Sequence, residues 1–351
     1  MATIRKKEPQ NRLVWVDVLR GIAIVLTVFG HSSVPVYKFI YAFHMPLFYM
    51  ISGYLWNDNL SFKGCFYKSV KNYLVPYFTL GSINILFRTC YVVLKGESII
   101  VLKDYIIGII YSHPTSEYMP DWSALWFLTG FFCAVVIYKF IGVICKRDIF
   151  KNITICVVTL FGYVLSLLDI PQLFWNVDSS LVVLLFLHIG YLLKKHDVVN
   201  RINRFTLKNV IVGVVFICIS MVTAYYNPVD YVSFGNHVYG DFLLFLTGSI
   251  PICLVLIGFI KLFSEKYEIK WFAYLGKHTL FIMGFDFFSQ FLLFRLVELL
   301  RFDPMFFFTN QKIGWLLLFI GKMVILSIGL FVWTFVVNKI PNTQIKKYLN
   351  F

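Results

Sequence analysis

Residues 13–31 read Leu-Val-Trp-Val-Asp-Val-Leu-Arg-Gly-Ile-Ala-Ile-Val-Leu-Thr-Val-Phe-Gly-His. A run of about 20 mostly apolar residues, at about 1.5 Å per residue, covers the hydrocarbon thickness of a bilayer. Three ionisable residues interrupt it: Asp17, Arg20 and His31. Ionisable groups inside a span are costly and mark functional candidates. Eleven residues at about 100° each bring His31 back to within about 20° of the Arg20 face, roughly 16 Å further along the axis. Asp17 lies one turn earlier on that face and can pair with the guanidinium. An arginine snorkelling to the interface and a histidine at a helix end is the competing reading. Arg5-Lys6-Lys7 precede the run and no Ala-x-Ala-like cleavage site follows, so it is expected to be an uncleaved first span.

Nine further runs of this kind follow, near 38–56, 73–94, 123–144, 152–168, 179–193, 210–226, 241–262, 272–294 and 313–337. A stretch around Ile99–Tyr111, broken by Lys103 and Asp104, is expected to be an interfacial helix. The chain of 351 residues is 59% hydrophobic and only 14% charged, against about 45–50% and about 25% in soluble domains. Soluble enzymes, disordered scaffolds and secreted disulfide mini-proteins are thereby excluded. The net charge of +14 points to membrane topology rather than nucleic acid, because the bases cluster between apolar runs. With the N-terminus inside, the inner segments hold 21 Lys and Arg and the outer ones six, so both termini are expected in the cytoplasm. Glu97, Glu117, Asp121, Asp169, Asp178, Asp230 and Asp303 fall in the outer segments. Seven cysteines show no C-x-x-C pairing and read as packing residues. The expected organisation is a cytoplasmic tail at 1–12, one membrane domain over 13–337 and a cytoplasmic tail at 338–351.

The second run contains Tyr41-Ala42-Phe43-His44-Met45-Pro46-Leu47-Phe48 and Ser52-Gly53-Tyr54. Pro46 removes a helical hydrogen bond near His44, which lies at a depth comparable to His31. Two imidazoles at matched depth beside a kink suggest a shared site, although a lone histidine on an apolar helix is commonly structural. Asp286 and Lys322 also lie at similar depth in the ninth and tenth runs, which permits an ion pair, functional or purely structural. His188 reads as a hydrogen-bonded packing residue. At the outer end, Trp122 and Trp126 with Glu117 and Asp121 suit sugar stacking and hydroxyl recognition. An interfacial aromatic belt predicts the tryptophans equally well.

Arg20-x10-His31 with Phe43-His44-Met45-Pro46-Leu47-Phe48 and Ser52-Gly53-Tyr54 resembles the membrane-bound acyltransferase-3 family, in particular its fucose 4-O-acetylase-like and polysaccharide O-acetyltransferase members. Pro76-Tyr77, Leu125-Trp126-Phe127-Leu128, Gly190-Tyr191-Leu192-Leu193-Lys194 and Leu275-Gly276-Lys277-His278-Thr279-Leu280 extend the likeness along nearly the whole chain. The resemblance implies an all-α polytopic fold of about ten core helices, a cytosolic acyl-CoA donor and a carbohydrate acceptor toward the outer face. By position His31 is implied as the essential histidine and Arg20 as its partner in donor binding. One departure stands out: the family's histidine about ten residues after the Gly of Gly-Lys is Asp286 here, which can instead orient or charge-stabilise an imidazole.

Elementary chemistry agrees. Acyl transfer to a sugar hydroxyl needs a base near the hydroxyl, which neutral imidazole supplies near pH 7, and cations for the anionic donor. Arg20 lies toward the basic face, with Lys71, Lys208, Lys270 and Lys277 as further candidates to meet the CoA phosphates. The expectation is an O-acyltransferase of the cell (inner or plasma) membrane. It takes acetyl-CoA as co-substrate and a cell-surface or lipid-linked glycan as acceptor, with no metal and no nucleic acid. His31 acts as base or transient acyl carrier, and His44 and Asp286 assist. A glycan or lipid transporter or flippase is the alternative, for which an inverted repeat is expected; none is visible in the sequence.

Overall fold

The computed structural model describes residues 13–341 apart from 97, 113, 116, 169 and 203. The expected N-terminal tail at 1–12 and residues 342–351 of the expected C-terminal tail at 338–351, with Glu97 and Asp169, lie outside the described residues; the start of that second tail continues the last helix, which ends at Lys339. Twelve helices carry the architecture. They are α1 (Val14–Gly30), α2 (Tyr37–Tyr54), α3 (Phe62–Leu94), α4 (Val101–Tyr111), α5 (Trp126–Ile144), α6 (Asp148–Ser166), α7 (Val177–Lys195), α8 (Leu207–Tyr226), α9 (Phe242–Lys266), α10 (Lys270–Lys277), α11 (Thr279–Leu299) and α12 (Gly314–Lys339). Among the described residues, extended pairing is confined to one bridge, Ser233 to Val238, in the α8–α9 connection. In lipid a spanning backbone must bond within itself, which selects helices for apolar runs like these. Eight of the helices are long and apolar enough to cross a bilayer; α1 and α2, with 17 and 18 residues, are shorter or more polar and bury Asp17, Thr27 and His44. The protein is an all-α polytopic membrane protein.

Ten apolar runs of the sequence correspond to ten long helices, with two corrections. The third run begins earlier than 73: its helix starts at Phe62, with the Ser61 hydroxyl accepting from the Gly64 amide, and continues through a π-helical turn at Val70–Leu74. The ninth run is broken at His278 into the short α10 and the spanning α11. The stretch near 99–111 forms α4, whose 11 residues reach about 16 Å and cannot cross.

Helix α1 occupies the centre, with Val18, Leu19, Ala23, Ile24 and Val28 all sequestered. Two crossings of bare backbone fix its surroundings. A Cβ on Gly276 of α10 would collide with the Asp17 carbonyl of α1, and one on Gly21 would collide with the Phe272 carbonyl. Gly53 of α2 and Gly190 of α7 make the equivalent close approach, against the carbonyls of Leu187 and Met50. Small residues at such crossings let helix axes draw together where no hydrophobic force separates lipid from protein. Helices α6, α8 and α12 turn large apolar residues outward, among them Leu160, Val214 and Phe331, as lipid-facing surfaces do.

Candidate active site

His31 closes α1: its amide donates to the Thr27 carbonyl at 3.0 Å, and the chain turns away at Ser33, where φ is +56°. Its imidazole is thus held at the end of the central helix, with 11% of the side chain exposed. Nδ1 lies 2.5 Å from Oδ2 of Asp286 on α11. The other carboxylate oxygen, Oδ1, lies 2.8 Å from Nζ of Lys322 on α12, and that ammonium is fully buried. One carboxylate therefore bridges an imidazole and an ammonium. A carboxylate so placed accepts from Nδ1–H, selects that tautomer, stabilises the imidazolium that forms on proton uptake, and leaves Nε2 as the basic nitrogen.

The ring of Phe287 stacks on His31 at 4.9 Å and 24°. His44 stands edge-on at 6.2 Å, and its Nδ1 donates to the Ile40 carbonyl at 2.9 Å, leaving its Nε2 as the free nitrogen too. Tyr41 lies against both imidazoles, at 5.6 Å from His31 and 5.1 Å from His44. Its other neighbour is Tyr231 at 4.9 Å, which in turn meets Tyr37 at 6.2 Å. The Tyr37 hydroxyl donates to Asp230 at 2.6 Å. A line of tyrosines thus leads from the α8–α9 connection down to the imidazoles. Sequence reading missed Tyr37, Tyr231 and Asp230, because nearly 200 residues separate the two segments and neither carries a local signal.

Below this layer lies a cavity of about 320 Å³ lined by Arg20, Lys71 and Lys277, with Ser52, Asn72 and Thr279 as polar partners. The Gly21–Gly276 crossing explains the juxtaposition, since Arg20 and Lys277 are the residues next to the two glycines. Ile24, Phe48 and Met283 also line the cavity. Phe48 is one turn from His44 and Met283 one turn from Asp286, so the cavity rises along α1 toward the imidazoles.

Other candidates fall elsewhere. Lys270 is solvent-exposed and paired with Glu268 at 2.9 Å, and Lys208 is exposed at the start of α8; neither lines the cavity. Trp122 is completely buried, edge-on to Tyr105 at 5.3 Å, so it presents no ring at an outer mouth. Trp126 is half-buried with its indole against Gly235. Asp121 is buried and its Oδ2 lies 3.3 Å from the Arg88 guanidinium. Burial pushes its carboxyl up to about 6, against the opposing pull of Arg88 and Arg295. Glu117 is exposed in the same connection. His188 bonds the Tyr138 hydroxyl and Asn152 Oδ1, each at 2.9 Å, as a packing histidine does.

Comparison with known proteins gives one extended match: the family model described as an acyltransferase domain, of the acyltransferase-3 type, covers residues 13–340. A 58-residue segment is 43% identical to the nodulation protein NolL of Sinorhizobium fredii, covering 13% of this chain and 16% of that relative's length. No solved structure matches the chain.

Proposed function

The chain belongs to the acyltransferase-3 family, and from that premise we propose that it moves an acetyl group from cytosolic acetyl-CoA to a hydroxyl of a cell-surface or lipid-linked glycan. The observation that carries this reading is the pairing of two features along one helix. A carboxylate-held imidazole lies at one end of α1, and a cavity with three cations lies around Arg20.

Arg20, Lys71 and Lys277 suit the phosphates of the donor, with Arg20 offering a planar donor fork and the lysines point charges. The cavity then directs the thioester arm along Ile24 and Met283 toward His31. His31 Nε2 takes the proton of the acceptor hydroxyl as its oxygen attacks the thioester carbonyl. The carbon–sulfur bond breaks, and the imidazolium returns that proton to the departing thiolate. Asp286 holds the ring and balances its transient charge, the arrangement that makes a carboxylate–imidazole pair effective. Tyr41 and Tyr231, rather than Trp122, offer ring faces for a sugar beside His31. In this reading the basic loops face the cytosol, so donor and acceptor enter from opposite sides.

The test uses sealed proteoliposomes of defined orientation, with labelled acetyl-CoA on the basic side and a candidate glycan only on the other. Acylation of the glycan is expected, with CoA staying on its own side, and His31→Ala is expected to lower transfer by at least about 10² while leaving the fold intact. Acylation only when both substrates share the basic side would overturn the placement of the acceptor. Transfer within a few-fold of wild type in His31→Ala would overturn the role of the imidazole.

A further inference from the structure

A second cavity, of about 440 Å³, lies away from the acyl-transfer site, between α8 and α9. Its wall is almost wholly apolar: Ile202 and Phe205 mark one end, Ile217 and Leu254 the other, and Gly213 and Gly258 lie between. The glycines make the space. A Cβ on Gly213 would meet nothing within 4 Å, and one on Gly258 would meet only the tip of Ile202. Helix α8 is the least enclosed of the long helices, with 11% of its most apolar window buried, so the groove opens sideways toward lipid. Along α8 the lining runs from Asn209 to Ile217, and along α9 from Leu254 to Leu262. The eight residue-to-residue steps of each stretch correspond to about 12 Å, less than half the roughly 30 Å of bilayer hydrocarbon. The groove therefore accommodates a chain from one leaflet and is too short for a molecule that spans both.

The charge at the Ile202–Phe205 end narrows the occupant further. Arg201 and Arg204 flank the lining residue Ile202, Lys208 adjoins the lining residue Asn209, and all three cations are exposed. The nearby carboxylates are engaged: Asp197 accepts from the Asn200 amide at 2.6 Å, and Glu265 lies 3.2 Å from Lys261 Nζ. That Lys261 is buried and also donates to the Ile202 carbonyl at 3.1 Å, which ties the segment carrying the arginines to α9. Apolar length for one tail and a basic mouth at the end of the adjoining spans occur together here. Basic clusters at the membrane surface attract anionic lipids in this way.

We propose that the α8–α9 groove is a binding site for an anionic glycerophospholipid of the leaflet on the basic side, one acyl chain lying between Gly213 and Gly258 and the phosphate meeting Arg201, Arg204 and Lys208. The proposal is independent of acyl transfer.

The experiment measures retention of phosphatidylglycerol and of phosphatidylcholine, with identical chains, by native mass spectrometry of the full-length protein released from detergent. Phosphatidylglycerol is expected to be retained preferentially. The triple variant Arg201→Gln, Arg204→Gln, Lys208→Gln is expected to lose affinity for it by about 10²-fold, at about fivefold per basic residue near an anionic headgroup. Gly213→Leu fills the groove and is expected to weaken both lipids at least about tenfold. Independently of any variant, phosphatidylglycerol with a photoreactive tail is expected to label the wild-type protein within 209–217 or 254–262. Equal retention of the two lipids would overturn the role of the basic mouth. Label confined to other segments would overturn the site itself.

Discussion

Replacing Asp286 by Asn separates two jobs that one carboxylate performs. It bonds His31 at 2.5 Å and pairs with Lys322 at 2.8 Å, where the lysine side chain is fully buried and the carboxylate 2% exposed. Removing one member of a buried pair leaves the other charge uncompensated, which costs about 3–5 kcal/mol. Asp286→Asn is therefore expected to lower unfolding stability by that amount. Its transfer rate should fall by about 10²–10⁴, because an amide neither enforces the Nδ1–H tautomer nor balances an imidazolium. Combining it with Lys322→Met removes the stranded ammonium at similar volume. The double variant is expected to recover most of the stability and none of the rate. The measurements are denaturation midpoints in one detergent, read beside single-turnover acetyl transfer to a fixed acceptor. If the double variant also regained transfer to within a few-fold of wild type, Asp286 would be merely the counter-ion of Lys322 and the catalytic reasoning would fail.

Further expectations follow from the cavity, the crossing and the outer connection. Arg20→Ala should weaken CoA binding by roughly 10–10²-fold, the scale of one charge-assisted contact, with Arg20→Lys restoring only part; isothermal titration reads this directly. Gly276→Ala forces a methyl group against the Asp17 carbonyl, so a loss of about 1–3 kcal/mol with a parallel fall in CoA affinity is expected from denaturation and titration together. Asp121 has its carboxyl raised from 3.8 to about 6, so the folded protein binds this proton more tightly than the unfolded chain. Its contribution to stability is fully present below about pH 4 and is lost as pH rises through about 6; the Tm–pH profile of Asp121→Asn should lack that slope.

The helices were legible because lipid imposes one rule on every span, and runs such as 210–226 obey it without exception. The Arg20–His31 spacing was legible because Arg20 lies in α1 and His31 caps its end, where residue count converts directly to distance along the axis. The matched depths of Asp286 and Lys322 pointed correctly to an ion pair, but depth alone could not show that His31 shares the carboxylate. The break at His278 was hidden because α10 and α11 together form one apolar run, and the turn is set by α10 packing on α1 through Gly276. Trp122 misled because an aromatic residue near a span end suits an interface as well as a core, and only the Tyr105 contact decides between them. The tyrosine line was invisible because it is assembled from α2 and a distant connection.

The glycine crossing of α1 and α10 has a mechanical consequence. Arg20 and Lys277 are neighbours of the two residues whose backbones touch, so their Cα positions are set by main chain rather than by adaptable side-chain packing. Such a joint behaves as a rivet. It fixes the gauge of the Arg20 cavity and leaves it little room to breathe, whereas the His31 end is bordered by the α8–α9 connection, which is held by side chains, with Phe234 and Tyr239 in the core and His237 Nε2 2.9 Å from Asp178 Oδ1. Under the proposed function, re-tailoring this protein toward a new acceptor is thus a matter of changing side chains on the connection between α8 and α9 while the riveted end keeps its dimensions.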